Sequence, residues 1–173
     1  MLLDEYLPEF DFEETHGITV NADASAVYAA INEVDFSEST IVRWLLRIRG
    51  MSGTNVRLDR LSEFNFARLA ERVDKELLIG LAERFWTPFG DLQHVTADSF
   101  RSFNKPGYAK AVWNFSLEPS DSRTRLTTET RIRCLDANSR RSFGLYWTIV
   151  QPFSGWIRME MLRMIKGRAE TLS

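Results

Sequence analysis

The stretch SFGLYWTIVQPFSGWIRMEMLRMIKGRAE, residues 142–170, constrains the fold more than any other part of the chain. Its apolar groups recur at helical spacing, so it reads as one long helix from about Asn138 to Ala169. At about 1.5 Å per residue such a helix is roughly 45 Å long. Phe143, Trp147, Val150, Ser154, Ile157, Met161 and Ile165 fall near one line, the face expected to lie on a sheet. Leu145, Ile149, Trp156, Met159 and Leu162 fall outside that line and need cover of their own. Pro152 has no N–H to give and a ring that crowds the preceding turn, which predicts a kink near residues 148–151. A long, bent helix laid across a curved antiparallel sheet satisfies these demands together.

The rest of the chain supplies the sheet. In ETHGITVN (14–21), His16, Ile18 and Val20 share one face of a strand. Asp23 then caps a helix on which Val27, Ala30 and Ile31 recur. A second short helix is expected over 39–50, with Ile41, Trp44, Leu45 and Ile48 as its stripe and Gly50 closing it. NFARLAERV (65–73) and KELLIGLAERFW (75–86) read as a hairpin turning at Asp74, followed by a turn at TPFGD (87–91). ADSFRSFNKPG (97–107) is open between a loop and a helical turn. YAKAVWNFSLEP (108–119) places Ala109, Ala111, Trp113, Phe115 and Leu117 on one face. After a turn at SDSR (120–123), TRLTTETRIRCL (124–135) alternates again. Leu126, Thr128, Thr130, Ile132 and Cys134 lie on one side, and Arg125, Thr127, Glu129, Arg131 and Arg133 on the other. Such alternation predicts an antiparallel sheet with one covered and one solvated face.

Composition narrows the function classes. A net charge of -2 gives no field to attract nucleic acid or an anionic membrane, and the only cysteine, Cys134, excludes an internal disulfide. The acidic start MLLDEYLPEFDFEE lacks a signal-peptide layout, and no apolar run approaches the roughly 18 residues of a membrane span. A single cytoplasmic domain over 1–173 is the expectation, without nucleic acid or integral membrane association and with homodimerisation open. No cofactor is implied. FSGW and MSGT are not nucleophile elbows, and Gly50-Met51-Ser52-Gly53 is not a dinucleotide fingerprint. His16 and His94 lack companions at ligand spacing, so no metal site is expected.

Four segments carry a resemblance: LLIGLAERFW (77–86), FNKPGYAKAVWNF (103–115), RLTTETRIRCLD (125–136) and YWTIVQPFSGWIRMEMLRMIK (146–166). With the order strand, two helices, antiparallel strands and long C-terminal helix, the chain resembles the START-like superfamily. This is the polyketide cyclase/dehydrase and lipid transport (SRPBCC) group, and the nearer likeness is to a bacterial branch of it. The resemblance spans residues 12–170 or so and implies an α+β helix-grip fold. It also implies a cavity between sheet and helix for apolar ligands. It carries no catalytic residue to any position here, because members range from carriers to cyclases.

The inner faces then give the candidate wall: Leu77, Ile79, Leu81, Glu83 and Phe85 from one strand, and Trp113 and Phe115 from the next. Thr128 and Thr130 follow, with Val150, Ile157 and Met161 from the helix. Glu83 is the residue with chemical interest, since a desolvated carboxylate there would anchor a polar group or move a proton. Against that stands a bulge, or a strand end at the solvated rim. Arg84 is expected to pair outside, with Glu129 or Glu71. Arg158, Arg163, Lys166 and Arg168 read as the solvated face of the last turns. The leading expectation is a binder or carrier of a small hydrophobic molecule, lipid-like or aromatic. One alternative is a cofactor-independent cyclase. Another is an interaction module gripping a partner through Trp156, Met159 and Leu162, unless residues 6–10 cover them.

Overall fold

The computed structural model describes residues 1–40, 43, 56–58, 66–88 and 90–172. Strands β1 (Phe12–Val20), β2 (Ala67–Arg72), β3 (Glu76–Glu83), β4 (Ala109–Ser120) and β5 (Arg123–Cys134) pair antiparallel in the order β1-β5-β4-β3-β2. Asp74 and Asp121, at φ 59° and 52°, make the turns of the β2–β3 and β4–β5 hairpins. Aspartate is among the few non-glycine residues that enter the left-handed region readily. After β1 come α2 (Ala24–Glu33), capped as expected by Asp23, and a 3₁₀ turn over Phe36–Glu38. The helix expected over 39–50 falls outside the described residues, apart from Ser39, Thr40 and Arg43.

The long helix, α4 (Ala137–Leu172), has 36 residues and stays helical through Pro152. It begins where Asp136 takes the N–H groups of Asn138 and Ser139, each at 2.9 Å, and the Ser139 hydroxyl at 2.6 Å. These donors satisfy the orphan amides of the first turn. Element for element this is the α+β helix-grip fold: an antiparallel sheet, short helices after its first strand, and a long C-terminal helix against one face.

Two apolar clusters hold it. The larger lies between the sheet and α4 with α2, and includes Val27, Ile31, Leu77, Phe115, Leu126 and Ile165. Leu162 belongs to it with no exposure at all, which corrects its assignment to the uncovered side of the helix. The second cluster lies on the other face of the sheet and overturns the expectation of a solvated face there. Leu2, Leu3 and Leu7 of α1 (Leu2–Tyr6) and its following residue meet Leu69, Leu78 and Val112 from the strands. Phe100 joins them from α3 (Ala97–Ser102), a helix closed by a Thr96–Ser99 capping box in the segment left open by sequence.

The polar residues of that face are covered because each finds a partner. Glu76 accepts the Leu2 N–H at 2.9 Å and the Asn114 amide at 2.8 Å. Asn114 in turn accepts from the Glu129 N–H at 2.9 Å. Arg131 pairs with Glu129 at 2.6 Å and with Asp4 at 2.8 Å. Lys110 points at the Phe100 and Arg101 carbonyls, 3.3 and 3.2 Å away, at the end of α3, where a cation suits the helix dipole. Residues 1–10 are therefore bound to the face opposite α4 and do not cover Trp156. Arg84 also departs from expectation: it stacks on Tyr108 at 4.6 Å and lies 3.9 Å from Asp91, while Glu129 and Glu71 pair with Arg131 and Arg68.

Candidate functional site

The C-terminal half of α4 is seated directly on the core through Leu162, Ile165 and Ala169, all without exposure. From Tyr146 to Met161 the sheet-facing residues are only partly buried, and a cavity of about 300 Å³ opens beneath them. Leu81, Glu83, Ala111, Trp113, Thr130 and Ile132 form its floor, from β3, β4 and β5. Val150, Ser154, Ile157, Arg158 and Met161 form its roof on α4. Phe36, Leu58, Phe66, Phe85 and Leu92 are among the residues at its sides. Phe143 anchors one end, with the rings of Phe12, Phe85, Tyr146 and Trp147 centred 4.9, 5.6, 5.7 and 5.6 Å from its own.

Eight of the candidate residues stand on this wall: Leu81, Glu83, Phe85, Trp113 and Thr130, named by strand alternation, and Val150, Ile157 and Met161, named by helical spacing. Leu77, Ile79, Phe115 and Thr128 face the same way but sit in the closed core, with at most 1% exposure. Alternation reports which face a side chain takes. It does not report where along the strand the helix settles.

Glu83 is at the end of a regular ladder, since the β3–β4 register runs without shift from Glu76 opposite Ser116 to Glu83 opposite Ala109. No bulge turns it away; it keeps 6% exposure and lies on the wall. Its carboxylate is already engaged within the protein. It also rests against Gly90, at φ 67°, where a Cβ would come within 3.2 Å of Oε2. That close approach in a left-handed turn requires glycine.

Arg158 is the charged wall residue that the sequence reading missed, alongside apolar ones such as Phe36, Phe66 and Trp147. Arg163, Lys166 and Arg168 do pair at the surface, with Glu160, Glu170 and Glu33 at 3.9, 3.6 and 2.8 Å. Arg158 instead lies over the Trp113 indole, 5.0 Å from its centroid, and lines the cavity. Burial pulls its pKa down to about 10, partly offset by the charge of Glu14, so it remains a cation at neutral pH. It keeps some accessible surface although its guanidinium is desolvated, and it faces the cavity. The signal was available: Arg158 is one turn from Ser154 and from Met161, both on the inward line. The run of cations around it disguised that position.

Other candidate residues take structural places. Glu14 accepts the Ser154 hydroxyl at 2.7 Å and lies 3.0 Å from His16 Nε2, at the contact of β1 with α4. His94 is exposed on a loop. Burial, aided by the charge of Asp11, pushes the Cys134 thiol up to about 12, so it is not a thiolate nucleophile at neutral pH. Among the described residues no three His, Cys, Asp or Glu side chains are grouped to hold a metal ion, and no helix is long and apolar enough to cross a membrane.

No family model matches the chain, and no curated protein matches it by sequence. Solved structures do overlap it. A hypothetical protein of Helicobacter pylori is 11% identical, with a TM-score of 0.45 over 96% of this chain and 93% of that one. The Zhui aromatase/cyclase of Streptomyces sp. R1128 is 12% identical, with a TM-score of 0.36 over 92% and 93%. Ara h 8.0201 is 10% identical, with a TM-score of 0.37 over 92% and 98%. At these values the fold assignment rests on the chain's own topology.

Proposed function

We propose that this chain binds a small, mostly apolar molecule between its sheet and α4, as a carrier or sequestering protein. The observation that carries this reading is the cavity itself: about 300 Å³, walled by aromatic and aliphatic side chains from three strands and one helix. That is the lower end of the roughly 300–1,000 Å³ usual for small-molecule sites, which are apolar with a few polar groups setting orientation. Each ligand methylene removed from water there contributes about 0.8 kcal/mol.

Proton transfer by Glu83, as in a cyclase, has less support, because that carboxylate is engaged and braced against Gly90. The interaction module drawn from Trp156, Met159 and Leu162 has lost its third member to the core.

The neutral fluorophore N-phenyl-1-naphthylamine tests the reading. It should bind saturably to the wild-type protein, and Val150→Trp, which fills the roof, should abolish binding while leaving Tm within a few degrees. Undiminished binding to a folded Val150→Trp protein would place the ligand elsewhere and end the proposal.

A further inference from the structure

Three polar groups lie beside one another at the cavity wall with no hydrogen-bond acceptor among the described residues. The Arg158 guanidinium lies over Trp113 and forms no ion pair or hydrogen bond there. The Trp113 Nε1–H is buried and unpartnered. Thr130 sits directly across from Trp113 on the neighbouring strand, and its hydroxyl, on the cavity wall, has no partner either. Trp113 and Thr130 are each 7% exposed, so both side chains are largely removed from bulk water.

A desolvated guanidinium with up to five donors and an indole N–H ask for an oxyanion. Among the described residues the rest of the wall is aliphatic or aromatic except for Glu83 and Tyr146, which have interactions of their own, and Ser154, whose hydroxyl is given to Glu14. Among the described residues Arg158 is thus the single cation on the cavity wall, with Glu83 on the wall and Glu14 behind Ser154 as the nearby anions. One cation matches one negative charge. A phosphate monoester, with about -1.5 to -2, would leave charge unpaired among apolar groups and two carboxylates.

We infer that the ligand is an apolar monocarboxylic acid, its chain or ring in the aromatic part of the cavity and its carboxylate held by Arg158, the Trp113 N–H and the Thr130 hydroxyl. This rests on the binding function proposed above and names its ligand class. The Arg158 guanidinium is desolvated and has no hydrogen-bonded anion among the described residues, an arrangement that is costly without a counter-ion. The burial that lowers the Arg158 pKa to about 10 is the same burial that makes its pairing with a carboxylate strong.

Calorimetric titration with decanoate and with 1-decanol separates the two levels of the claim. Wild-type protein should bind decanoate at least about tenfold more tightly than 1-decanol, the scale of hydrogen bonds to a charged group. Arg158→Met should erase that preference by weakening decanoate about tenfold relative to 1-decanol, and leave Tm unchanged or raised, since it removes a desolvated charge without a hydrogen-bonded partner. Thr130→Val, nearly the same shape, should weaken decanoate several-fold, and more than it weakens 1-decanol. Equal affinity for acid and alcohol in the wild type would overturn the inference and leave the cavity reading standing. Binding of neither, nor of the neutral fluorophore, would overturn both. A fall in Tm on Arg158→Met, with the acid preference retained, would show that Arg158 is structural and overturn its assigned role.

Discussion

Asp136 shows how one side chain sets the start of the helix that roofs the cavity. Four donors reach it: the Ser139 hydroxyl and N–H, the Gly107 N–H and the Asn138 N–H. With the Ser139 hydroxyl contributing most, they hold its pKa at about 2, below the ordinary 3.8. A depressed carboxylate pKa means that the fold favours the charged form. Its contribution is complete above about pH 4 and disappears as the pH falls toward 2. Asp136→Ala should therefore lower stability by about 1 kcal/mol at pH 7, the usual worth of a cap. The Tm gap from wild type should close as the pH is taken from 4 toward 2, and a pH-independent gap would contradict the cap's ionic character. The capping role has a clear sequence signature, an aspartate just before a long apolar-periodic run. The bond from Gly107, 29 residues away, has none.

At the scale of elements, the sheet was legible and its coverings were only half so. The period-two patterns of 108–119 and 124–135 reported strands and inward faces correctly, because each face of a strand meets one environment. The outer face read as solvated because its residues include Glu76, Lys110, Asn114 and Arg131, which belong on surfaces unless paired. Their partners come from α1 and α3, short segments far from them in sequence, and periodicity carries no information about such contacts. Leu3, on α1, is fully buried against that face. Leu3→Ala should cost about 2–5 kcal/mol in urea or thermal unfolding, as core truncations do. A cost within about 0.5 kcal/mol would make α1 a loose flap and return the face to solvent. On α4 the same limit operates. Helical spacing identified the inward line, but placed Leu162 outside it and read Arg158 as solvated. What remains uncovered is the stripe Leu145, Ile149, Phe153 and Trp156, each at least half exposed.

Across the whole molecule, one helix performs two tasks at different places along its length. Its C-terminal half closes the core through Leu162, Ile165 and Ala169, and the stretch from Tyr146 to Met161 leaves a space over β3, β4 and β5. The fold was legible from element order and spacing. The cavity's position was not, because it depends on where side chains from distant strands fail to meet. The chain's five tryptophans allow a direct test of the central claim, that an apolar acid occupies this space. Trp113 and Trp147 line the cavity, whereas Trp156 is half exposed on the far side of the same helix. The measurement is a proton–nitrogen correlation spectrum of the indole Nε1–H groups during titration with decanoate, assigned by single Trp→Phe variants. The Trp113 and Trp147 resonances should move together and saturate, Trp113 most because its N–H gains an acceptor, while that of Trp156 stays in place. Movement of Trp156 alone, or no movement of Trp113 at saturating decanoate, would contradict the account.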